Sequence, residues 1–326
     1  MKPGFHSGSL WLHDPGTAVR LLCEIGYRAV ALRSRRGVLV PGESTFARQW
    51  EEVLAVASDH RCQLVIDSEA PYVLDPRESA MPGLAEPDSR RVQRTVQWLE
   101  DWLSVLGPAA SWGQTPIVTL GSGPASPPDG DRLRRFETDP HHPAERAEQA
   151  LERLADQLQP LCRRAADSGA LLALRPARGH VIDSVADFER LAQWLSPGSA
   201  DAPLALAADV GEMLVAGEIP LAARLQRHPD TLALVYLCDP RWDVSGGGGA
   251  LFQHSGPATD AGMFPAGWMG GGDQWIGQGE VAVGRLVDAL ARHGYGGPVI
   301  ARVEGRAAWG VRPAEEAWRR CFTAGS

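Results

Sequence analysis

The side chains best suited to chemistry in this 326-residue chain sit at the ends of short apolar runs. Asp67 and Glu69 stand two apart in CQLVIDSE, and Arg302 and Glu304 stand two apart in GPVIARVEG. That spacing puts each pair on one face of a strand. His6 closes the first such run (GFHSGS), and His180 follows Arg175 by five residues in LRPARGH. Carboxylates and imidazoles are proton-transfer groups. A guanidinium binds an oxyanion through paired hydrogen bonds and stays charged while doing so. Paired acids in a protein interior need matching cations. Asp67 and Glu69 are therefore expected to meet Arg175 or Arg302 in one arginine–acid network. Arg178 and Arg241 are further anion-binding candidates, with a solvated surface role as the plainer alternative.

Composition removes several chemistries. The chain has one lysine, Lys2, against 31 arginines, and no asparagine. A Schiff-base or pyridoxal-phosphate enzyme needs a core lysine, and a P-loop needs Gly-Lys-Ser/Thr. N-glycosylation needs Asn. There is no G-x-S-x-G nucleophile turn. The turn Gly121-Ser122-Gly123 is a weak candidate anion cradle. The five cysteines are scattered and odd in number, which fits reduced thiols in the cytoplasm. A net charge of −8 without a basic run argues against nucleic acid. No apolar run is long enough for a membrane span, and the first residues do not read as a signal peptide.

The elements that must position these residues alternate. Strands are expected near 3–10, 28–33, 62–69, 115–121, 170–176, 203–209, 231–239 and 298–304. Helices fall between them, among them 88–106, 143–168, 183–195 and 280–293, opened by Asp14, Asp88 and Asp183 and closed by Gly26, Gly107, Gly169 and Gly294. Eight strand-then-helix units close into a single-domain (β/α)8 TIM barrel over 1–326. An open doubly wound sheet is the alternative, but it would carry a Gly-rich phosphate turn after an early strand. Chemistry in a barrel belongs to the loops after the strands. Two of these are long: 70–87, and the Gly- and Trp-rich 240–279 after the seventh strand. The second is expected to be a lid over the barrel mouth or a surface or subunit-contact loop.

The segments EIGYRAVAL (24–32), LLALRP (171–176), LALAADVGEMLVAGE (204–218), LVYLCD (234–239) and GQGEVAVGRLVDALARHGYGGPVIARVEG (277–305) resemble the sugar-phosphate isomerase/epimerase superfamily, the xylose-isomerase-like TIM barrels. YVLDPR (72–77) also resembles one subgroup. The resemblance covers nearly the whole chain. It implies a divalent metal at the C-terminal mouth, held by Glu, Asp, His and Glu from four strands, and proton transfer beside a carbonyl. At those positions this sequence has Arg175, Asp209, Tyr236 and Arg302, with Glu212 where the Asp-containing motif ends in His and with Asp239 retained. A two-residue shift of register would put Glu304 in the last position. Arginine has no lone pair to give. No divalent metal is therefore expected at the family position, and Mn, Mg or Zn would need a shifted set of Asp209, Glu212, Glu304 and His180.

The reading is an isomerase- or epimerase-like protein that works without metal on a small hydroxy-carbonyl or acidic sugar-like substrate. Asp209, Glu212, Glu304 and His180 are the candidate catalytic residues. Arg175, Arg302, Tyr236, Asp239, His6 and Glu69 are the candidate substrate-binding residues. The alternative is a catalytically inactive barrel that serves in binding or assembly. Homo-oligomerisation is left open.

Overall fold

Eight runs rich in Val, Ile, Leu and Ala form parallel strands: β1 (Lys2–His6), β2 (Ala29–Arg33), β3 (Gln63–Asp67), β4 (Ile117–Leu120), β5 (Leu171–Leu174), β6 (Ala205–Asp209), β7 (Leu232–Leu237) and β10 (Pro298–Ala301). They close into a barrel in the order β1-β10-β7-β6-β5-β4-β3-β2. Closure removes the open-sheet alternative: β1 pairs β10 from Lys2↔Pro298 to Phe5↔Ala301. The computed structural model describes residues 1–70, 72–76, 83–123, 143–195, 204–242, 268–269, 275–303 and 310–323.

The helices between the strands are set by local signals. In α1 (Pro15–Ile25), Asp14 accepts the Thr17 N–H at 2.8 Å, proline opens the first turn and Gly26 at φ 126° ends the last. In α3 (Ser89–Val105), Asp88 plays the same capping part. The outer ring continues with α2 (Phe46–Asp59), α5 (Pro143–Asp167), α6 (Val185–Leu195), α9 (Val283–Arg292) and α10 (Arg312–Phe322), plus a short α4 (Gly107–Ala110). After β6 the helical segment splits into α7 (Val210–Val215) and α8 (Leu221–Leu225). The first strand is shorter than the sequence suggests. It stops at His6 and turns into a 3₁₀ segment, Ser7–Leu10, because the His6 side chain accepts the Gly8 N–H and bends the chain. The long loop 240–279 is not wholly irregular: β8 (Arg241–Trp242) pairs antiparallel with β9 (Trp268–Met269). Most of its remainder lies outside the described residues.

Alternation along the strands separates two cores. Outward-facing Phe5, Val30, Leu64, Val118, Leu172, Leu206, Val235 and Val299 pack against the helices. Inward-facing Ala29, Ala31, Val65, Ile117, Ala173, Ala205, Ala207, Leu234, Tyr236 and Ile300 fill the barrel. Small residues on one side make room for large ones on the other. Gly4 is the extreme case, since a Cβ there would lie 2.2 Å from Ile300 Cδ1. Among the described residues no helix is long and apolar enough to cross a membrane.

Candidate active site

Two residues beyond each inward apolar position the chain reaches the C-terminal mouth, and there the side chains become polar. The same alternation brings His6, Arg33, Asp67, Thr119, Arg175, Asp209 and Arg302 onto the inner face above the apolar filling, with Tyr236 beneath them.

Tyr236 is the floor. It is fully buried, its hydroxyl lies 3.2 Å from Thr119 Oγ1, and burial pushes its pKa up. The guanidiniums of Arg175 and Arg302 stand over its ring, at 5.7 and 5.9 Å from the centroid. That is the distance at which a cation is attracted to the ring face. Each arginine meets an acid. Arg175 Nη2 donates to Glu69 Oε2, and Arg302 Nη1 lies 3.7 Å from Asp209 Oδ2.

Asp67 takes a different partner from the one the sequence suggests. Its Oδ2 accepts from His6 Nε2 at 3.0 Å. His6 Nδ1 accepts the Gly8 N–H at 3.1 Å, so the ring proton belongs on Nε2. Burial holds the His6 pKa below its ordinary value, against the pull of Asp67. For Asp67 burial acts upward, but the His6 hydrogen bond and the Arg175 charge outweigh it and keep the carboxyl well below the usual range. Glu69 behaves likewise, with the Arg175 charge overcoming burial. The expected arginine–acid network is thus present, with the acids divided between His6, Arg175 and Arg302.

Asp209 caps α7, its Oδ1 accepting the Gly211 and Glu212 N–H groups at 3.0 and 3.4 Å, while Cys238 Sγ donates to its Oδ2 at 3.3 Å. Glu212 Oε2 accepts the Arg178 N–H at 3.1 Å. Burial, and then the nearby Asp209 charge, push the Glu212 carboxyl up to about 7. A carboxyl near neutrality is matched to proton transfer. His180 sits on the turn after β5, its imidazole beside Glu69 Oε1 over Gly121. Burial lowers its pKa. The Gly-Ser-Gly turn serves that loop: Ser122 Oγ accepts the Ile182 N–H and Gly123 O accepts the Val181 N–H. With Glu69 Oε1 near Gly121, the turn is no anion cradle. A Cβ on Gly123 would lie 2.0 Å from Gly83 Cα, so the loops after β3 and β4 touch backbone to backbone.

Asp239 stands apart from this group. Its Oδ2 accepts the Gly277 and Gly279 N–H groups at 2.7 and 2.8 Å, and its Oδ1 the Val281 N–H at 2.9 Å. It pins the turn that leads into α9. Glu304 lies outside the described residues. Arg33 and Thr119 belong to the polar layer, although they were not singled out from the sequence. The inward parity of their strands was the available signal.

Arg175, Tyr236 and Arg302 stand at three of the four strand ends where the resemblance implies metal ligands. Guanidinium cannot ligate, and two of them over one ring repel a dication. Among the described residues no three His, Cys, Asp or Glu side chains are placed to hold a metal.

Residues 19–321 match the family described as Xylose isomerase-like TIM barrel, and the chain belongs to that family. No curated protein matches the sequence. The fold is similar to the apo structure of 3-keto-D-glucoside 4-epimerase from E. coli, at 17% identity and TM-score 0.66 over 98% of each chain. It is similar to D-psicose 3-epimerase from Clostridium cellulolyticum H10 with D-tagatose, at 14% identity and TM-score 0.63 over 100% of this chain and 93% of that one. It is also similar to D-allulose 3-epimerase from Methylomonas sp. in complex with D-allulose, at 14% identity and TM-score 0.60 over 93% and 84%. At such identities the likeness is one of fold.

Proposed function

We propose that this protein is an isomerase- or epimerase-like barrel that moves a proton beside a carbonyl without a divalent metal, on a small hydroxy-carbonyl or acidic sugar-like molecule. The observation that carries the reading is the convergence of Arg175 and Arg302 over Tyr236 at the mouth. Fixed positive charge in a sheltered site stabilises a developing oxyanion. Glu212, held near neutrality, takes and returns the proton, with Asp209, Glu304 and His180 as the other groups within the same reading. The solved neighbours support a sugar-like ligand, since one of them is a complex with D-allulose. The test is wash-in of deuterium from D2O into a panel of ketoses and hydroxy-acids, followed by NMR in excess EDTA. Exchange that persists in EDTA and falls in Arg175→Met supports the reading. Exchange that appears only on adding Mn²⁺ or Mg²⁺ refutes it.

One observation favours a second reading. Arg175 and Arg302 already face Glu69 and Asp209, so part of their charge is spent internally. A catalytically inactive binding barrel would use the network as a rigid floor. It would bind ligand at the mouth and show no exchange with any compound of the panel.

A further inference from the structure

The loops after β3, β4 and β5 meet at a corner of the mouth where Glu69, His180 and Arg175 come together. Glu69 Oε1 and His180 Nδ1 lie 2.9 and 3.1 Å from the point where a Cβ on Gly121 would stand. Glycine at 121 lets a carboxylate and an imidazole come down together on the end of β4. His180 Nδ1 and Arg175 Nη1 are both buried and both without a hydrogen-bond partner. Buried polar groups are ordinarily paired, and two orphans flanking the one Glu69 carboxylate point to a missing partner. Neither can swing away to find one. Arg175 is held by Glu69 Oε2 beside it and Tyr236 beneath. The His180 turn is fixed by the His180 N–H on Ala177 O, the Val181 N–H on Gly123 O and the Ile182 N–H on Ser122 Oγ.

We infer that Glu69, His180 and Arg175 form a subsite for one uncharged hydroxyl group, and that the mouth selects a neutral polyol over its carboxylate counterpart. A hydroxyl accepts from Arg175 Nη1 while donating to Glu69 Oε1 or His180 Nδ1. A carboxylate or phosphate has no proton to donate and would face the Glu69 charge. The wider layer adds nothing for an anion: Arg33, Arg175 and Arg302 are balanced by Asp67, Glu69 and Asp209, and an ionised Glu212 tips the sum negative. The inference rests on the reading of the mouth as a substrate site. It narrows that reading from hydroxy-carbonyl or acidic molecules to uncharged ones.

The test titrates the full-length protein, with its histidine rings isotope-labelled, with D-glucitol and separately with D-gluconate. His180→Gln assigns the His180 signals, and no turnover is needed. D-Glucitol is expected to move the His180 signals, and D-gluconate to bind roughly tenfold more weakly or worse, because a like charge is set against Glu69. Gly121→Ala, whose backbone conformation suits alanine, should weaken D-glucitol about tenfold by crowding both partners. Glu69→Gln should narrow or reverse the preference. D-Gluconate binding as tightly as D-glucitol, an unchanged affinity in Gly121→Ala, or no His180 response to either compound overturns the inference. Binding of D-glucitol together with no proton exchange in any ketose or hydroxy-acid of the panel would defeat the catalytic proposal and leave this one standing. Exchange with a preference for the acid would do the reverse.

Discussion

Replacing Arg175 by methionine keeps most of the stem and deletes the charge. The guanidinium side chain is 7% exposed and its partner Glu69 is 19% exposed. Removing one member of a buried pair costs about 3–5 kcal/mol, because the other charge is stranded. Glu69 keeps some access to water, so the lower end applies, about 3 kcal/mol, with the lost contact over Tyr236 included. The pH dependence is the sharper signature. In the wild type Glu69 titrates below its ordinary value, so its contribution is present above the unfolded-state value and is lost as pH falls through the folded one. In the variant, burial and the Asp67 charge remain and both push Glu69 upward. The variant therefore loses stability as pH rises through the ordinary carboxylate range, and acid relieves its defect. Urea unfolding with an unchanged slope should show the largest gap between wild type and variant near neutrality, shrinking at about pH 4.5. Adding Glu69→Leu should recover much of the loss. A gap under about 1 kcal/mol, or one that does not change with pH, would refute the reasoning, since exposed pairs contribute that little.

Three further outcomes follow from the same geometry. Nitrogen NMR of His6 should show the proton on Nε2 and a neutral ring well into the acid range; a ring that titrates at or above its ordinary value would contradict the dominance of burial over the pull of Asp67, and a proton on Nδ1 would contradict the Gly8 contact. Glu212→Gln should be more stable than wild type above about pH 7, because a carboxyl raised by burial favours folding below its unfolded-state value and loses that contribution as pH rises through the folded one; denaturant midpoints across pH check it. Asp239→Ala should cost about 2–4 kcal/mol by stripping the acceptor from three backbone N–H groups, with faster hydrogen exchange at Gly277, Gly279 and Val281; unaltered exchange there would sink the assignment.

The barrel was legible because its signals are local. Apolar runs such as ALLALRP and TLALVYLCD need cover on both faces, and Asp14, Asp88 and Gly26 mark helix ends within a few residues. Arg175, Asp209, Tyr236 and Arg302 were legible through the family resemblance, which marks those four strand ends. The missed features depend on distance or on a neighbour's size. His6 ends β1 early through one side-chain contact to Gly8. Asp67 meets His6 across the inner face of the barrel, from β3 past the intervening β2 to β1, a juxtaposition that no local pattern marks. Asp239 finds its partners 38 to 42 residues away, across a loop whose course no periodicity announces. Arg33 and Thr119 could have been found by extending inward parity to every strand.

The contact between Gly83 and Gly123 has a practical side. The loop after β3 rests on the loop after β4, which in turn holds the turn carrying His180. These three segments have been shaped as one block. Transplanting any one of them from a related barrel would bring a side chain where only bare backbone fits, or leave a neighbour unsupported. Engineering a new specificity here calls for exchanging all three together, whereas Asp239 fixes the turn before α9 through Gly277, Gly279 and Val281.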